Sequence, residues 1–514
     1  MDWFHELSFM GFMVASVFIP LALLSFFCMR SGRKLLLPPG PQPLPIIGNM
    51  LMMDQLTHRG LARLAERYGG LFHLRLGSLH AVVVSTPEMA RQVLQVQDAS
   101  FCNRPVTAAI AYLTYDRADM AFANYGPFWR QTRKLCVMKL FSRRRVQSWA
   151  SVRHEVDSAV RFVARRSGSS VDVGDLAFTL GKNITFMAAF GAQSHGNQGE
   201  FAGILQEYSK LFGEFNISDF LPWLRWMDLQ GIDKRLKVAR QAIDRYIDVI
   251  IDDHLANPKE ADAQDADMVD AMLAFLGDSG DTNDGGDLHG DLSLTRVNIK
   301  AIIMDVMFGG TETVALGVEW AMAELLKSPE ELKRTQQELA SVVGLHRKVD
   351  DSDLDKLPYL KCAVKEMLRL HPPLPLLQHQ ATQDCELAGY FIPVGTRVFV
   401  NAWGIGRDRD VWKSPNAFRP SRFAPGGDAA AFDFRGSCFE LLPFGSGRRS
   451  CPGMQLGLYV LELAVAQLLH CFDWSLPAGM KPGDLDMGDV FGLTAPKAVR
   501  LMAVPTPRLT CPLL

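Results

Sequence analysis

The sequence has few of the features that indicate a disulfide framework, a zinc knuckle or a nucleic-acid partner. Its nine cysteines are an odd number and no two of them form a C-x-x-C pair, so we expect neither kind of cysteine site and a reducing compartment. Its 54 basic and 56 acidic residues give a formal net charge of -2. That balance excludes a global field that attracts nucleic acid, and we expect no such partner.

The chain also lacks an internal repeat and a G-x-G-x-x-G loop after a strand. The absence of that loop excludes a nicotinamide or flavin site of the dinucleotide-binding type. What the chain does have is 514 residues, of which 48% are hydrophobic, enough to bury a large core. Length alone leaves open whether this core is one large domain or several ordinary ones.

One uncharged apolar segment lies near the N-terminus. Leu7–Met29 has 23 residues, which as a helix reach roughly 34 Å and can cross the hydrocarbon core of a bilayer. A cleaved signal peptide is the alternative, but the run is too long for one, and Asp2 and Glu6 occupy the place of a basic n-region. We therefore expect residues 1–30 to be a retained, single-pass membrane anchor.

The residues after this segment predict an orientation and a hinge. Arg30, Arg33 and Lys34 follow the apolar run, and the positive-inside rule then places the rest of the chain in the cytosol. The proline-rich run Pro38–Pro45 cannot lie inside a helix and stiffens an extended backbone. We expect residues 31–48 to be a basic and proline-rich hinge and residues 49–514 to be one large domain.

Beyond the hinge, the chain is mainly helical by pattern. In Glu319–Val343, apolar residues recur at three- and four-residue intervals, as on one face of a helix. Short β-type segments are predicted around Leu71–Val84 and Tyr390–Val400. Gly277–Asp291 contains five Asp and five Gly and predicts a solvated linker; its acids fall three apart, which disfavours a calcium loop. The expected fold class is mainly α with a smaller β region.

The strongest chemical signal is the ten-residue run Phe444–Gly453, FGSGRRSCPG, before a helix-like stretch. The dipole and free amides of a helix N-terminus stabilise a thiolate, which is the form of cysteine that binds metals. Gly447 and Gly453 allow the backbone to approach a planar macrocycle, and Arg449 can pair with a carboxylate on its rim. The set predicts haem ligated by Cys451.

These residues match the pattern F-x-x-G-x-R-x-C-x-G at every fixed position, and the chain therefore resembles the cytochrome P-450 superfamily. The resemblance implies the haem-thiolate fold of that family, preceded here by one transmembrane helix. It implies heme b as the cofactor, Cys451 as the axial iron ligand, and contacts to the haem from Phe444, Arg449 and Gly453. Thiolate ligation favours oxygen activation over oxygen carriage, so a monooxygenase is expected.

A second motif, E-x-x-R, is formed by Glu366 and Arg369 on a helical stretch. In isolation such a pair is usually a solvated surface bridge. In the family, the pair joins a downstream arginine in a buried network that locks the cysteine loop, and Arg422 stands in the expected place. Ser421 replaces the usual Glu of that segment, but Arg422 keeps the bidentate geometry that the network needs.

A third motif lies in an apolar helical run, where Gly309 and Gly310 each cost about 1 kcal/mol relative to alanine. The resemblance supplies a reason, since in the family this helix passes over the haem and opens a groove for dioxygen. It implies that Thr313 and Glu312 relay protons to the reacting oxygen. Val314 stands where the family commonly has a second Thr or Ser, so we expect a simpler relay.

The resemblance assigns three further residues to the haem propionates. Trp129 and Arg133 match a W-x-x-x-R pair that holds one propionate. His379 aligns with a position that contacts the other propionate in many family members. A structural histidine whose hydrogen bonds are satisfied within the protein is the alternative for His379.

The anchor, the hinge and the long body resemble the plant microsomal branch of the family. The resemblance implies a location in the endoplasmic reticulum membrane, with the catalytic domain in the cytosol. It also implies electrons from a separate flavoprotein, NADPH-cytochrome P-450 reductase, which agrees with the missing dinucleotide loop. We expect the reductase to dock on a basic surface near the cysteine loop, for which Arg448, Lys134 and Arg143 are candidates.

Three stretches resemble the ferulate 5-hydroxylases, also called coniferaldehyde 5-hydroxylases: Asn49–Gly60, Met304–Val314 and Val490–Pro496. This narrower resemblance implies that O2 is used to hydroxylate the 5-position of a guaiacyl ring, for syringyl lignin synthesis. The small phenolic substrate would be ferulate, coniferaldehyde or coniferyl alcohol. By the same analogy, the pocket would be lined by Phe101–Met120, Leu211–Trp226, Ile302–Thr313, Leu374–Gln380 and Val490–Ala495.

Three other functions stay open at this point. A flavonoid B-ring hydroxylase shares the family motifs, and only the three stretches disfavour this function. A haem-thiolate isomerase or peroxide-using enzyme would need neither a reductase nor an intact proton relay. A non-catalytic haem-binding scaffold would need the cysteine only for its fold. Activity with NADPH and reductase distinguishes a monooxygenase from the isomerase or peroxide-using enzyme.

Overall fold

The computed structural model describes residues 36–55, 57–140, 146–190, 198–259, 267–276 and 293–513. The expected membrane anchor, the first part of the expected hinge, the acidic segment 277–291 and Arg143 lie outside the described residues. The described part is mainly helical with a smaller β region, which confirms the expected fold class.

The α-helices of the described residues vary from one turn to nine. In chain order they are α1 (His58–Tyr68), α2 (Pro87–Arg91), α3 (Asp98–Phe101), α4 (Ala108–Leu113), α5 (Pro127–Leu135), α6 (Val146–Ala164), α7 (Val173–Phe190), α8 (Gln198–Gly213), α9 (Ile232–Ala256), α10 (Met268–Leu273), α11 (Arg296–Lys327), α12 (Pro329–Val343), α13 (Asp351–Leu354), α14 (Pro358–Leu370), α15 (Ala402–Ile405) and α16 (Met454–Cys471). Short 3-10 helices include Pro222–Met227, Pro420–Phe423 and Gly447–Arg449, and Gln92–Val96 is a π-helix.

The strands are β1 (Leu71–Leu76), β2 (Leu79–Val84), β3 (Val171–Asp172), β4 (Leu376–Gln380), β5 (Cys385–Leu387), β6 (Tyr390–Ile392), β7 (Arg397–Asn401), β8 (Phe472–Ser475) and β9 (Met502–Pro507). They form a four-stranded sheet in the order β1-β2-β7-β4, a three-stranded sheet in the order β3-β9-β8, and the β5-β6 hairpin. In the larger sheet, β2 and β7 are parallel and the other pairs are antiparallel. Both predicted β-type segments lie in these strands.

Helix α11 is the core of the molecule. It begins at a reciprocal cap in which the side chains of Thr295 and Asn298 each accept a hydrogen bond from the other residue's amide. It ends at Lys327, with Ser328 as its C-cap, because Pro329 lacks an amide hydrogen and disfavours helical backbone in the residue before it. The apolar pattern over Glu319–Val343 is therefore divided between α11 and α12.

Two helices of the described residues, α11 and α16, are long and apolar enough to cross a membrane by composition. In each of them, 61% of the apolar window is buried inside the protein. Burial of that extent is what the core helices of a globular domain show, since an apolar surface can be covered by protein as well as by lipid. We therefore treat both as core helices.

Helices α7 and α11 cross at small residues. A Cβ atom on Gly181 of α7 would lie 2.7 Å from the backbone oxygen of Thr311, and one on Gly310 would lie 2.8 Å from Oγ1 of Thr185. Both distances are too short for a real Cβ contact. Gly310 is thus explained by a close helix crossing, in which the two backbones approach more closely than side chains would allow.

We predict that Gly181→Ala destabilises the folded protein by about 1–3 kcal/mol, because the added methyl group meets a backbone oxygen that cannot rotate away. Gly203→Ala on α8 is the matched control, since a Cβ there has no neighbour within 4 Å. The control should be neutral or stabilising by up to about 1 kcal/mol. Thermal unfolding of both variants tests this, and equal midpoints would contradict the close crossing.

Candidate active site

The cysteine loop, Phe444–Gly453, is closed by a hydrogen bond of 2.9 Å from the Cys451 amide to the carbonyl oxygen of the first residue of the loop. Within the loop, Gly447 has a φ of +69°. A Cβ on Gly447 would lie 2.1 Å from the backbone oxygen of Leu94. Position 447 requires glycine because of its positive φ and its close packing against the π-helix. The sequence suggests a different reason, the approach of the backbone to a macrocycle.

Cys451 lies two residues before Gly453, the N-cap of α16. Burial raises the pKa of the Cys451 thiol, whereas a hydrogen bond from the Gly453 amide and the charge of Arg133 lower it. The residue nonetheless has exposed surface. A thiol that is surrounded by protein and still exposed faces an internal cavity, so the loop presents a sulfur atom, supported by one amide and one cation, to the protein interior.

Helix α11 also borders open space. Gly309 is exposed in the middle of this buried helix, and a Cβ there would meet no atom within 4 Å. One turn later, the Thr313 hydroxyl donates a hydrogen bond of 2.6 Å to the Gly309 carbonyl oxygen. Helices α11 and α16 pack together at Gly317, whose Cβ would lie 3.1 Å from Leu461. The helix that contains Gly309 therefore packs on the helix that Cys451 precedes.

The Glu312 side chain makes two hydrogen bonds to other elements of the fold. Its carboxylate accepts one from the Ser209 hydroxyl of α8 at 2.6 Å and one from the Thr494 hydroxyl near the C-terminus at 3.0 Å. The carboxylate and the Thr313 hydroxyl are thus adjacent in sequence but engaged with different partners. The sequence placed Thr494 in the expected pocket segment Val490–Ala495, but it did not pair Ser209 or Thr494 with Glu312, because both are distant from Glu312 in the chain.

Three arginines lie close together beside the cysteine loop. Burial lowers the pKa of Arg104 to about 9 and that of Arg449 to about 10, and the charge of Arg133 contributes to both shifts. The hydrogen-bond acceptors recorded for the three guanidinium groups are backbone oxygens and the Ser450 hydroxyl. Three clustered cations without a hydrogen-bonded carboxylate among the described residues form a binding site for an anion.

Arg104 lies in the expected pocket segment Phe101–Met120, but the sequence did not indicate it as a haem contact. It lies in an irregular segment, after Cys102 and before Pro105, where neither helical nor strand periodicity gives a side chain a direction. Its guanidinium hydrogen-bonds to the backbone oxygen of Gln378 in β4. Only this tertiary contact, together with the proximity of Arg449, places Arg104 at the site.

The other two candidate propionate contacts are both buried. The Trp129 indole donates to the Met120 carbonyl oxygen at 2.9 Å, and its ring lies 4.5 Å from the Arg449 guanidinium. His379 Nδ1 lies 2.9 Å from the Phe101 carbonyl oxygen. Burial, and next the charge of Arg104, lower the pKa of His379 to about 3, so the ring is neutral and Nδ1 donates this bond.

Glu366, Arg369 and Arg422 form one network inside the protein, with no side chain more than 1% exposed. Arg369 donates two hydrogen bonds to the Glu366 carboxylate at 2.8 and 2.7 Å, and Arg422 donates one at 2.9 Å. The backbone amide of Arg419 donates a fourth at 2.9 Å. The carboxylate is thus fully paired, which a buried charge requires.

The network is linked to the cysteine loop through aromatic side chains. The guanidinium carbons of Arg369 and Arg422 lie 5.0 and 5.8 Å from the centre of the Trp412 ring. Trp412 belongs to a small buried cluster against which Phe434 packs. Phe434 in turn meets Phe444, the first residue of the loop, edge to face at 5.5 Å.

Loop residues before α5 are held to α11 by a buried carboxyl pair. The Asp305 carboxylate accepts hydrogen bonds from the amides of Met120 and Ala121 at 2.8 and 3.0 Å. Burial raises the pKa of Asp305 to about 6, and burial together with the Asp305 charge raises that of the neighbouring Asp119 well above its ordinary value. Met120 is thereby fixed where its carbonyl oxygen accepts the Trp129 indole.

The residues present fit a haem with a thiolate ligand. The Cys451 sulfur faces the interior, Gly309 leaves space on the adjoining helix, and the arginine cluster could pair with two carboxylates. Cys451 would hold the iron, and Arg104, Arg133 and Arg449 would hold the propionates. The sequence motifs indicated this set apart from Arg104.

Comparisons with known proteins agree with this geometry. The family profile for cytochrome P-450 matches residues 38–502. The chain is 61% identical to cytochrome P-450 84A1 of Arabidopsis thaliana over 507 residues, which are 97% of this chain and 96% of the relative. It is 39% identical to flavonoid 3'-monooxygenase of Arabidopsis thaliana over 98% of this chain and 97% of the relative.

Solved structures have the same fold. A zebra fish cytochrome P-450 determined with progesterone superposes with a TM-score of 0.74 at 26% identity, over 88% of this chain and 99% of that chain. A second zebra fish structure, determined with abiraterone, superposes with a TM-score of 0.72 at 27% identity. The mainly helical architecture with its smaller sheets is therefore the fold of these proteins.

We predict that Arg104→Ala weakens haem retention, because one charge-assisted hydrogen bond to a propionate, worth about 1.5–3 kcal/mol, is lost. The rate of haem transfer to excess apomyoglobin should rise by roughly ten- to a hundredfold. Arg130→Ala is the matched control, since Arg130 is an exposed arginine on α5. Equal transfer rates for Arg104→Ala and the wild type would contradict the assignment.

Proposed function

This chain belongs to the cytochrome P-450 family, whose monooxygenases use haem with an axial cysteine thiolate, and we propose that it hydroxylates the 5-position of a guaiacyl phenylpropanoid ring. One oxygen atom of O2 goes to the ring and the other to water. The two electrons come from NADPH through NADPH-cytochrome P-450 reductase. The substrate is ferulate, coniferaldehyde or coniferyl alcohol, and the product supplies syringyl lignin.

The observation that supports this substrate best is a group of three phenylalanines in contact, one pair stacked and the other tilted. The Phe122 and Phe212 rings are parallel within 10° at a distance of 5.7 Å, and Phe308 lies 5.3 Å from Phe212. They come from the loop before α5, from α8 and from α11, and each is partly exposed. Three flat apolar faces from three elements suit a planar aromatic ring.

A relative that is named for a flavonoid substrate is less similar to this chain than two relatives whose names state no substrate. The chain is 61% and 55% identical to cytochromes P-450 84A1 and 84A4, but 39% identical to flavonoid 3'-monooxygenase, all of Arabidopsis thaliana. The three stretches that resemble ferulate 5-hydroxylases include Met304–Val314, which contains Phe308 and Glu312. A flavonoid B-ring hydroxylase is the second candidate, because it shares every haem motif.

Each proposed catalytic residue has a distinct task. The haem, when bound through the thiolate of Cys451, supplies oxygen activation. Arg104, Arg133 and Arg449 orient it through its carboxylates. Gly309 leaves room beside α11 for a small molecule, and the Thr313 hydroxyl, held on the Gly309 carbonyl oxygen, is the last proton donor to the reacting oxygen.

The proposed locations of the enzyme and its partner rest on two surfaces. An apolar face contains Leu44, Ile46, Trp223 and Trp226, of which Trp226 is 82% exposed. Two backbone hydrogen bonds, Gly77 to Ile47 and Ser78 to Phe220, hold the hinge and the segment Pro222–Met227 to the β1–β2 turn. This face suits the surface of the endoplasmic reticulum membrane, with residues 1–30 as the anchor.

The second surface is basic and lies beside the cysteine loop. Arg130 and Arg448 both lie over the Tyr125 ring, at 5.8 and 5.4 Å, and Lys134 is exposed one turn further along α5. Arg448 also pairs with Asp98 at 2.9 Å, which reduces its net charge. A surface of this sign, close to the proposed iron ligand, suits an acidic flavoprotein reductase.

We predict that Thr313→Val lowers the yield of hydroxylated product per NADPH consumed by at least about tenfold, because the donor hydroxyl is lost at constant volume. Thr311→Val is the matched control, since the Thr311 hydroxyl is buried and has no hydrogen-bond partner among the described residues. Product and hydrogen peroxide are measured against NADPH in both variants. Full coupling in Thr313→Val would exclude Thr313 as the donor.

The proposed function is tested by incubating the full chain and a plant reductase with NADPH and, separately, with coniferaldehyde and a flavanone. We expect a 5-hydroxylated guaiacyl product with no turnover of the flavanone. A hydroxylated flavanone alone would favour the second candidate. Product formed from peroxide but not from NADPH would favour a peroxide-using enzyme, and no product under any condition would favour a haem-binding scaffold.

A further inference from the structure

Three elements that are far apart in sequence meet at the Glu312 carboxylate. One oxygen accepts the Ser209 hydroxyl of α8 and the other accepts the Thr494 hydroxyl of the loop before β9. Each carboxylate oxygen thus has its own hydroxyl donor. Two bonds in different directions fix the orientation of the carboxylate, which a single bond would leave free to rotate.

The Thr494 donor is held in place by its neighbours. Thr494 itself is 4% exposed. The next residue, Ala495, donates its amide to the Pro373 carbonyl oxygen at 3.0 Å and accepts the Trp320 indole at 3.1 Å. Trp320 belongs to α11, so the loop is fixed to the helix that contains Glu312.

The Ser209 donor depends on the position of α8. One turn after Ser209, a Cβ on Gly213 would lie 2.8 Å from the Leu493 amide nitrogen, so α8 and the loop are in close contact. Phe212 packs on Phe308, one turn before Glu312 on α11. The aromatic contact and the hydroxyl contact are therefore consecutive turns of one interface between α8 and α11.

Glu312 has hydroxyl groups and not basic side chains as its hydrogen-bond partners, and this difference has a chemical consequence. Among the described residues, no lysine or arginine forms an ion pair with Glu312. A guanidinium only donates hydrogen bonds, whereas a hydroxyl donates and accepts and can therefore pass a proton on. Ser209 is also partly exposed, whereas Thr494 is 4% exposed, so Ser209 is the better placed of the two hydroxyls to receive a proton.

We propose that Ser209 and Thr494 are positioning residues that hold the Glu312 carboxylate for proton delivery, with Ser209 as the entry point of the relay. This inference rests on the proposed role of Glu312. Each hydroxylation consumes O2, two electrons from NADPH and two protons, and releases hydroxylated product and water. When proton delivery is too slow, the same electrons and protons leave as hydrogen peroxide.

The relay also connects proton delivery to the pocket. The hydroxyl that holds Glu312 and the ring that packs on Phe308 are three residues apart on α8. A movement of α8 away from α11 would therefore break the Ser209 bond together with the aromatic contact. The Ser209 hydroxyl therefore reaches Glu312 only when α8 is packed on α11.

The test compares full-length Ser209→Ala, Thr494→Val and Glu312→Gln with the wild type, each with reductase and substrate in membranes. We expect Ser209→Ala and Thr494→Val each to lower product per NADPH by roughly three- to tenfold, with a matching rise in peroxide. The substrate KM and the carbon monoxide difference band of the reduced protein should be unchanged. Ser209→Thr keeps the hydroxyl and should restore the coupling.

The outcomes separate this inference from the proposed function. Full coupling in Ser209→Ala and Thr494→Val, with uncoupling in Glu312→Gln, would overturn the positioning role and leave Glu312 in the relay. Full coupling in Glu312→Gln would overturn the positioning role of Ser209 and Thr494 and also the place of Glu312 in the relay. Loss of coupling in Ser209→Ala that Ser209→Thr does not restore would also overturn the inference, because the effect would then come from packing. Coupling is measurable with any accepted substrate, so it does not depend on the guaiacyl assignment.

Discussion

The buried ion pairs of Glu366 with Arg369 and Arg422 are the interactions on which the rest of the structure most depends. The Glu366 carboxylate is buried with two arginines, and four hydrogen bonds satisfy its charge. A buried carboxylate with one partner removed would be left uncompensated, which is far more costly than the loss of a surface ion pair. The network joins α14 to the segment around Pro420–Phe423, and aromatic contacts extend from there to the cysteine loop. The position of the Cys451 thiol therefore depends on ion pairs between residues that are far from it in sequence.

Helix α11 combines two requirements in adjacent residues. Gly310 faces α7, where a side chain would not fit, and Gly309 faces open space, where a side chain would fill a groove. Because consecutive helical residues point about 100° apart, one pair of glycines serves both faces. Glu312 and Thr313 follow the same rule: one side chain reaches α8 and the C-terminal loop, and the other bonds back to its own helix. The helix is thus part of the structural core and also lines the proposed active site.

The cationic cluster shows how the site and its proposed cofactor depend on each other. Burial contributes most to the lowered pKa of each of the arginines Arg104, Arg133 and Arg449; the charges of Arg449 and Arg133 also lower the pKa of Arg104, and the charge of Arg133 that of Arg449. Such repulsion is tolerated in a protein when an anion offsets it. Two carboxylates on the rim of a macrocycle would do so, and His379, which is neutral beside Arg104, would then gain an anionic neighbour as well.

The sequence by itself determined the fold class, the cysteine loop, the E-x-x-R pair and the two glycines, because each depends on short-range patterns of residue type and spacing. It did not determine Arg104, Ser209 or Thr494. Arg104 and Thr494 lie in irregular segments and Ser209 lies in α8, and the partners of these three residues are 274, 182 and 103 positions away in the chain. The reason for Gly447 was also decided by a tertiary contact, the backbone of Leu94. Local sequence patterns fix which groups are available, whereas only the packing of distant segments decides which of them meet.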